Sequence, residues 1–287
     1  MNNFFKIFKG LQKTYLLCHY WIKNRFSNQK VNGDTPVVVS LTTYGKRLQV
    51  VYFTIESIGN GRIKPKRLIL WIQDEKQYLN LPKNLQRLRE RGLEIRLSRN
   101  YGSHTKYYPY VTEFATDNLP LVTADDDVFY PKYWLEGLYG AYLKNEEVVS
   151  CYRAHLMLLE DRGDRVAPFY RWGMCVTDVP SYMHQATGVS GVIYPPKLLY
   201  ALVDAGDVFL DLCPKADDIW LHVNAIRNGY KIKQIFKQDL HFRTIPFTQQ
   251  GGLIQQNAHE GLNTIQADKT YTPNDIAILK TELTKPA

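Results

Sequence analysis

The stretch Pro120-Leu121-Val122-Thr123-Ala124-Asp125-Asp126-Asp127-Val128-Phe129-Tyr130-Pro131 decides how the rest of the chain is read. Leu121, Val122 and Thr123 form a short, mostly apolar and β-branched run of the kind a buried strand shows, and it stops at three consecutive aspartates. Three carboxylates at the end of a buried strand repel one another, so without a positive partner some would stay protonated or turn into water. A divalent cation such as Mg²⁺ or Mn²⁺ resolves that conflict. It prefers hard oxygen ligands, takes one or two protein carboxylates and completes its shell with phosphate oxygens and water. In an open α/β sheet, ligands gather beyond the carboxyl ends of the strands, where this triplet would lie. The plainer alternative is a solvated acidic turn capping the following helix.

Strands and helices alternate on both sides of this stretch. Upstream, Pro36–Leu41 reads as a first buried strand and Thr42-Thr43-Tyr44-Gly45-Lys46-Arg47 as the loop leaving it. A helix over about 48–58, a strand at Arg67–Ile72, a basic helix over 82–91 and a strand at Leu93–Leu97 follow. Asn100–Tyr110 is an aromatic-basic loop leading into a helix, and its Lys106 could meet a diphosphate or steady Asp125. Downstream, a helix begins near Pro131–Leu135 and a strand spans about Val148–Arg153. Residues 160–186 are irregular and aromatic, which favours a binding loop. Thr187-Gly188-Val189-Ser190-Gly191 lets backbone N–H groups approach a ligand closely; a tight turn into an edge strand is the alternative. Cys213–His222 places Asp217 and Asp218 at the start of a helix running to about Asn228, where they could also be caps. Gly229 closes it, Lys231–Ile235 is a last strand, and the residues after 239 read as a tail. The alternation predicts an α/β fold with a largely parallel sheet.

The 287 residues and 45% hydrophobic content suit one main globular domain. The formal charge of +8 is uneven. Residues 1–33 carry Lys6, Lys9, Lys13, Lys23, Arg25 and Lys30 and no acid, which leaves 30 basic and 28 acidic residues, or +2, for the rest. A nucleic-acid partner is disfavoured by that near-neutral body. The basic arm itself places Phe4, Phe8, Leu11, Tyr15, Ile22 and Phe26 at helical spacing. Its apolar run is far short of the roughly 20 residues that span a bilayer, so it reads as an amphipathic helix lying on an anionic membrane surface or packed on protein. Four scattered cysteines, Cys18, Cys151, Cys175 and Cys213, show no metal-binding spacing and suit reduced thiols of a cytosolic protein.

The order of the parts resembles an inverting glycosyltransferase of GT-A fold, and more narrowly is similar to bacterial glycosyltransferases encoded with surface-polysaccharide genes. Asp125-Asp126-Asp127, Gly188–Gly191 and Ala216-Asp217-Asp218 carry the resemblance, over roughly residues 36–245. It implies a Rossmann-like catalytic domain at 36–245, preceded by an amphipathic helix in 1–30 and followed by a C-terminal tail, 246–287, packed on the domain or partly irregular. By the same resemblance, Asp125 and Asp127 match a D-x-D pair binding Mn²⁺ or Mg²⁺, with His241 as a third metal ligand. Asp218 or Asp217 matches the general base; Asp217 stands where Glu is usual. Thr42, Thr43, Tyr44, Arg47, Lys106, Asp125, Asp126, Gly188, Ser190 and Gly191 would contact a nucleoside-diphosphate sugar, with a UDP-sugar the expected donor. Arg47, Lys106 or Arg243 would supply a cation to the leaving group. Tyr170, Trp172 and Trp220 are the expected acceptor-binding aromatics, and the acceptor is a glycan or lipid-linked glycan. The expected location is the cytoplasm, peripheral at the inner face of the cell membrane, with room for a homo-oligomer. A metal-dependent phosphotransferase or nuclease, and a non-catalytic membrane-associated binding protein, are the competing readings.

Overall fold

Val37, Val38, Val39 and Leu41 are fully buried, as a β-branched run at the centre of a sheet must be. In the computed structural model, which describes residues 2–248 and 261–283 with side chains from residue 10 onward, they lie in an interior strand of a seven-stranded sheet. The strands are β1 (Thr35–Thr43), β2 (Pro65–Ile72), β3 (Leu93–Leu97), β4 (Leu121–Thr123), β5 (Val128–Phe129), β6 (Val148–Cys151), β7 (Ala154–Leu156), β8 (Gly173–Met174), β9 (His184–Ala186), β10 (Val192–Tyr194), β11 (Lys231–Gln234) and β12 (Arg243–Thr244). The α-helices are α1 (Asn2–Phe26), α2 (Val51–Gly59), α3 (Glu75–Leu79), α4 (Lys83–Glu90), α5 (Tyr108–Phe114), α6 (Trp134–Lys144), α7 (Pro196–Asp204), α8 (Phe209–Leu212), α9 (Asp217–Arg227), α10 (Leu262–Thr270) and α11 (Pro273–Leu283).

The sheet order is β11-β6-β10-β4-β1-β2-β3, and every strand but β10 points the same way. Alternate residues of β1 feed two cores, Val38 on one face and Val37, Val39 and Leu41 on the other. Burying each such side chain stabilises the fold by roughly 1.5–3 kcal/mol. The Val38 face is covered by α5, α7 and α9, and the opposite face by α2, α4 and α6. This is the mostly parallel α/β layout expected from the alternating elements. Its carboxyl edge collects the ends of β1, β2 and β4, and everything chemically notable lies there.

Three expectations change. The polar, turn-rich segment at residues 28–35, which by composition reads as a linker, is packed: Val31 is fully buried and its N–H donates to Arg91 O at 2.9 Å. The part of the C-terminal tail at 261–283 is two helices, because Ile276 and Leu279 face α9 while Arg227 forms a twofold ion pair with Asp275 at 2.8 Å. The rest of the tail, 249–260 and 284–287, lies outside the described residues. The irregular span 160–186 holds β8 and β9, and sheet β8-β7-β9 folds it against the domain.

Helix α1 packs on its own domain along one face. Tyr20 is buried and stacks on Phe129 at 5.9 Å, and Lys23 Nζ donates to Asn60 Oδ1 at 2.6 Å. Buried Asn24 donates to Glu56 at 3.1 Å, and Glu56 is ion-paired with Arg91. The other face stays outside, with Leu11, Tyr15, Ile22 and Phe26 each more than half exposed.

Candidate active site

The three aspartates diverge after β4 because a turn at Asp126–Asp127 leads into β5, so no helix is there for them to cap. Asp126 is buried and points back under β1. Thr43 Oγ1 donates to it at 2.6 Å and Arg47 at 2.8 Å, while Thr54 Oγ1 donates to its carbonyl at 3.0 Å. Asp127 is 5% exposed and meets the other arm of Arg47 at 3.2 Å. Burial first, then Asp125 and Asp126, push its carboxyl up to about 6. Arg47 also donates to Thr248 O at 2.9 Å, so one guanidinium ties the loop after β1 to the triplet and to the segment after β12. Burial opposes its charge, but Asp126 and Asp127 outweigh that and raise it.

Asp125 turns the opposite way, and its Oδ1 lies 3.0 Å from Lys106 Nζ. Its N–H donates to Tyr130 Oη at 2.9 Å. The same ammonium lies 3.2 Å from Asp217 Oδ2 at the start of α9. Lys106 therefore joins two acidic motifs that are far apart in the chain. Burial disfavours its charge, yet Asp125, Asp217 and Asp218 together hold it well above the ordinary range. Beside it, Gly188 N–H donates to Asp218 Oδ1 at 3.1 Å. A Cβ on Gly188 would lie 3.2 Å from both Asp218 Oδ1 and Lys106 Nζ, so a larger residue would crowd the two charges. Burial, and then Asp217, raise Asp218 to about 8 against the pull of Lys106. Its second oxygen has no hydrogen-bond partner among the described residues. A half-buried carboxylate with one oxygen pinned, the other open and a raised pKa is suited to taking a proton near neutral pH.

The remaining expected site residues divide. Thr42 Oγ1 donates to Trp71 O at 3.2 Å and belongs to a polar group with Gln73 and Thr105, whose side chains bond at 2.9 Å. Tyr44 is 49% exposed beside Arg47. Tyr170 is on the surface, 83% exposed. Five others are turned to structural use. Ser190 Oγ donates to Leu240 O at 2.6 Å, and Gly191 admits Trp134, whose Nε1 would be 2.5 Å from an added Cβ. Trp172 and Trp220 are core residues, packed against Phe169 and Phe209, so neither presents a ring to an acceptor. His241 is held by Asp239 at 2.8 Å on the α1 side of the domain, in a cleft that Arg243 also lines. Neither residue is bonded to the aspartates among the described residues: His241 pairs with Asp239, and Arg243 lies opposite Phe129 where β12 pairs with β5.

Reading the sequence missed Gln73, Thr105 and Arg153. Arg153 donates to Thr187 Oγ1 at 3.0 Å and its charge is felt by Asp218. The available signal was position: Gln73 follows β2 and Arg153 follows β6, both at the carboxyl edge.

No family model matches the sequence, and no curated protein does. Among solved structures, a mannosyltransferase, PcManGT from Pyrobaculum calidifontis in complex with GDP-Man and Mn²⁺, matches with TM-score 0.50 and 11% identity over 95% of this chain and 84% of that one. The chain has a GT-A-type fold. TarS 1-349 from S. aureus matches at TM-score 0.45 and 14% identity, over 72% of this chain and 59% of that one. The 4-diphosphocytidyl-2C-methyl-D-erythritolsynthase from Anaerococcus prevotii DSM 20548 matches at TM-score 0.45 and 14% identity, over 90% and 97%. At these identities the likeness concerns the fold alone.

Four of the carboxylates are paired directly with two cations, Asp126 and Asp127 with Arg47 and Asp125 and Asp217 with Lys106, while Asp218 accepts from the Gly188 N–H. Among the described residues, no three or more His, Cys, Asp or Glu side chains converge as an all-protein metal cage would require. Asp125 and Asp127 offer the hard carboxylate oxygens that a divalent ion takes beside substrate oxygens and water, but in this fold they turn to different cations, Lys106 and Arg47. Asp217 Oδ2 is buried and meets Lys106 Nζ at 3.2 Å as an ion pair without a well-formed hydrogen bond.

Proposed function

We propose that this chain is an inverting glycosyltransferase that moves a sugar from a nucleoside diphosphate to a hydroxyl of a glycan or lipid-linked glycan. The observation that carries the reading is the meeting of Asp125 and Asp217 on Lys106, with Asp218 alongside, at the carboxyl edge of a GT-A-type sheet. In this reading Asp218 accepts the proton of the incoming hydroxyl. Asp217 is the positioning residue that holds Lys106, and the Lys106 ammonium offsets negative charge on the departing diphosphate. A Mn²⁺ or Mg²⁺ ion bound by Asp125 and Asp127 would neutralise that leaving group further. Arg47 keeps Asp126 and Asp127 in place, and the Thr42, Gln73 and Thr105 group offers hydrogen bonds to a nucleotide. A single displacement of this kind requires no covalent nucleophile. The acceptor class suits the synthesis of surface polysaccharide at the inner face of the cell membrane.

Thermal unfolding against a panel of nucleoside diphosphates and their sugars, with and without Mn²⁺, tests the reading. One nucleotide should raise the midpoint only with the ion, Asp127→Ala should abolish that rise, and the matching sugar nucleotide should release its diphosphate when acceptor is present. A parent protein that binds no nucleotide under any condition would refute it.

A further inference from the structure

A cavity lies between α1 and the segment around β12, with Phe129 and Tyr130 in its wall. It measures about 440 Å³ and is lined by Tyr15, His19 and Tyr20 of α1, by Phe129–Tyr133, and by His241, Phe242 and Arg243. Four of its lining residues are basic, Lys132, Arg243, His19 and His241, and none is acidic. His241 is engaged by Asp239 at 2.8 Å, while Lys132 and Arg243 have no carboxylate partner among the described residues. Two uncompensated cations among aromatic rings make a receptor for an anion with an apolar or planar body.

Continuity with the outer face of α1 identifies the body. Tyr15 lines the cavity and also belongs to the exposed row Leu11, Tyr15, Ile22 and Phe26, whose members follow one another at helical spacing. An amphiphile could place its charged end between Lys132 and Arg243 and its chains along that row. The arm is rich in Lys and Arg without acids, which suits an anionic surface. No helix among the described residues is long and apolar enough to cross a membrane, so the contact is one of lying on the surface.

We propose that this cavity is a lipid-phosphate site: it takes the phosphorylated headgroup of a membrane lipid while the apolar row of α1 enters the acyl boundary. The site is independent of the transferase reading, because none of its cations touches the carboxylates. Co-sedimentation of the full chain with vesicles tests it. Phosphatidylcholine vesicles doped with phosphatidic acid should bind at least about tenfold more tightly than phosphatidylcholine alone, since each basic residue near an anionic surface is worth about 1 kcal/mol. Lys132→Ala/Arg243→Ala should lose that tenfold preference while α1 keeps its own lysines, so the loss reads the cavity and not general basicity. Leu11→Ser/Ile22→Ser should weaken vesicle binding to a similar degree. Free glycerol phosphate on the parent protein requires no variant to fold: partial competition at millimolar concentration supports the headgroup assignment. Equal binding to both vesicles, an unchanged double cation variant, or tight binding of glycerol phosphate without any vesicle binding would each overturn it.

Discussion

Asp218→Asn makes the sharpest test of the active-site electrostatics, because it should stabilise the fold while stopping the chemistry. The fold raises the Asp218 carboxyl from 3.8 to about 8, chiefly by burial and by the charge of Asp217. Between those two values the native state keeps a proton that the unfolded chain has released, so native stability falls as pH rises through this window, and the loss is complete above about pH 8. At roughly 1.4 kcal/mol per pH unit the ceiling is about 5–6 kcal/mol. Asp218 is partly exposed and solvent screens its interactions, so roughly 2–3 kcal/mol is the working figure. An asparagine is nearly isosteric, can still accept the Gly188 N–H and carries no charge. Its unfolding midpoint should match the parent's near pH 4 and exceed it by about 5–10 °C at pH 9, at a conversion of roughly 2–4 °C per kcal/mol for a chain of this size. Sugar-transfer kcat should fall by about 10²–10⁴, the usual worth of a general base. Unfolding scans across pH 4–9, read beside turnover, check both. A variant less stable than the parent at pH 9, or equally stabilised at both ends of the range, would refute the reasoning.

Arg47→Ala removes the ion pair of buried Asp126 and the 3.2 Å contact to Asp127, so a loss of about 3–5 kcal/mol is expected in denaturant titrations. A loss below about 1 kcal/mol would show that the clamp is not what holds the loop. Gly188→Ala should cut kcat at least about tenfold while moving the unfolding midpoint by only a few degrees, because the added methyl meets Asp218 and Lys106 at 3.2 Å at the edge of the site. Steady-state kinetics beside a thermal scan separate the two effects. Glu56→Gln breaks the Arg91 ion pair that backs Asn24 of α1, and trypsin should then cut at Lys23 or Arg25 well before the domain is digested. Unchanged cleavage kinetics would mean that Tyr20 packing alone anchors the helix.

Local pattern alone was enough for the six parallel strands of the large sheet and for the position of the aspartates at a strand end. β-branched runs at 36–41 and 67–72 and the stop at Asp125 follow from the physics of a single buried segment, which needs no knowledge of its neighbours. The same holds for α4 and α9, whose limits agree with expectation to within one residue or so. An aromatic side chain is different, since Trp172 and Trp220 carry the same atoms whether they fill a core or face a sugar, and only the packing of β7–β9 and α8 put them inside. Arg243 was likewise placed by the antiparallel pairing of β12 with β5, a long-range register that no spacing encodes.

The chain's own order of residues determined that this is an α/β domain with acid at a strand end and acid at a helix start, because periodicity and the cost of burying charge act within a few residues. Which carboxylate faces which cation was decided only by tertiary structure. Lys106 meets Asp125 and Asp217, and Arg47 meets Asp126 and Asp127, because the sheet order sets the loop after β1 and the start of α9 beside the end of β4. Electrostatic interaction depends on distance through space, and a linear sequence carries that distance only after the strands have chosen their neighbours.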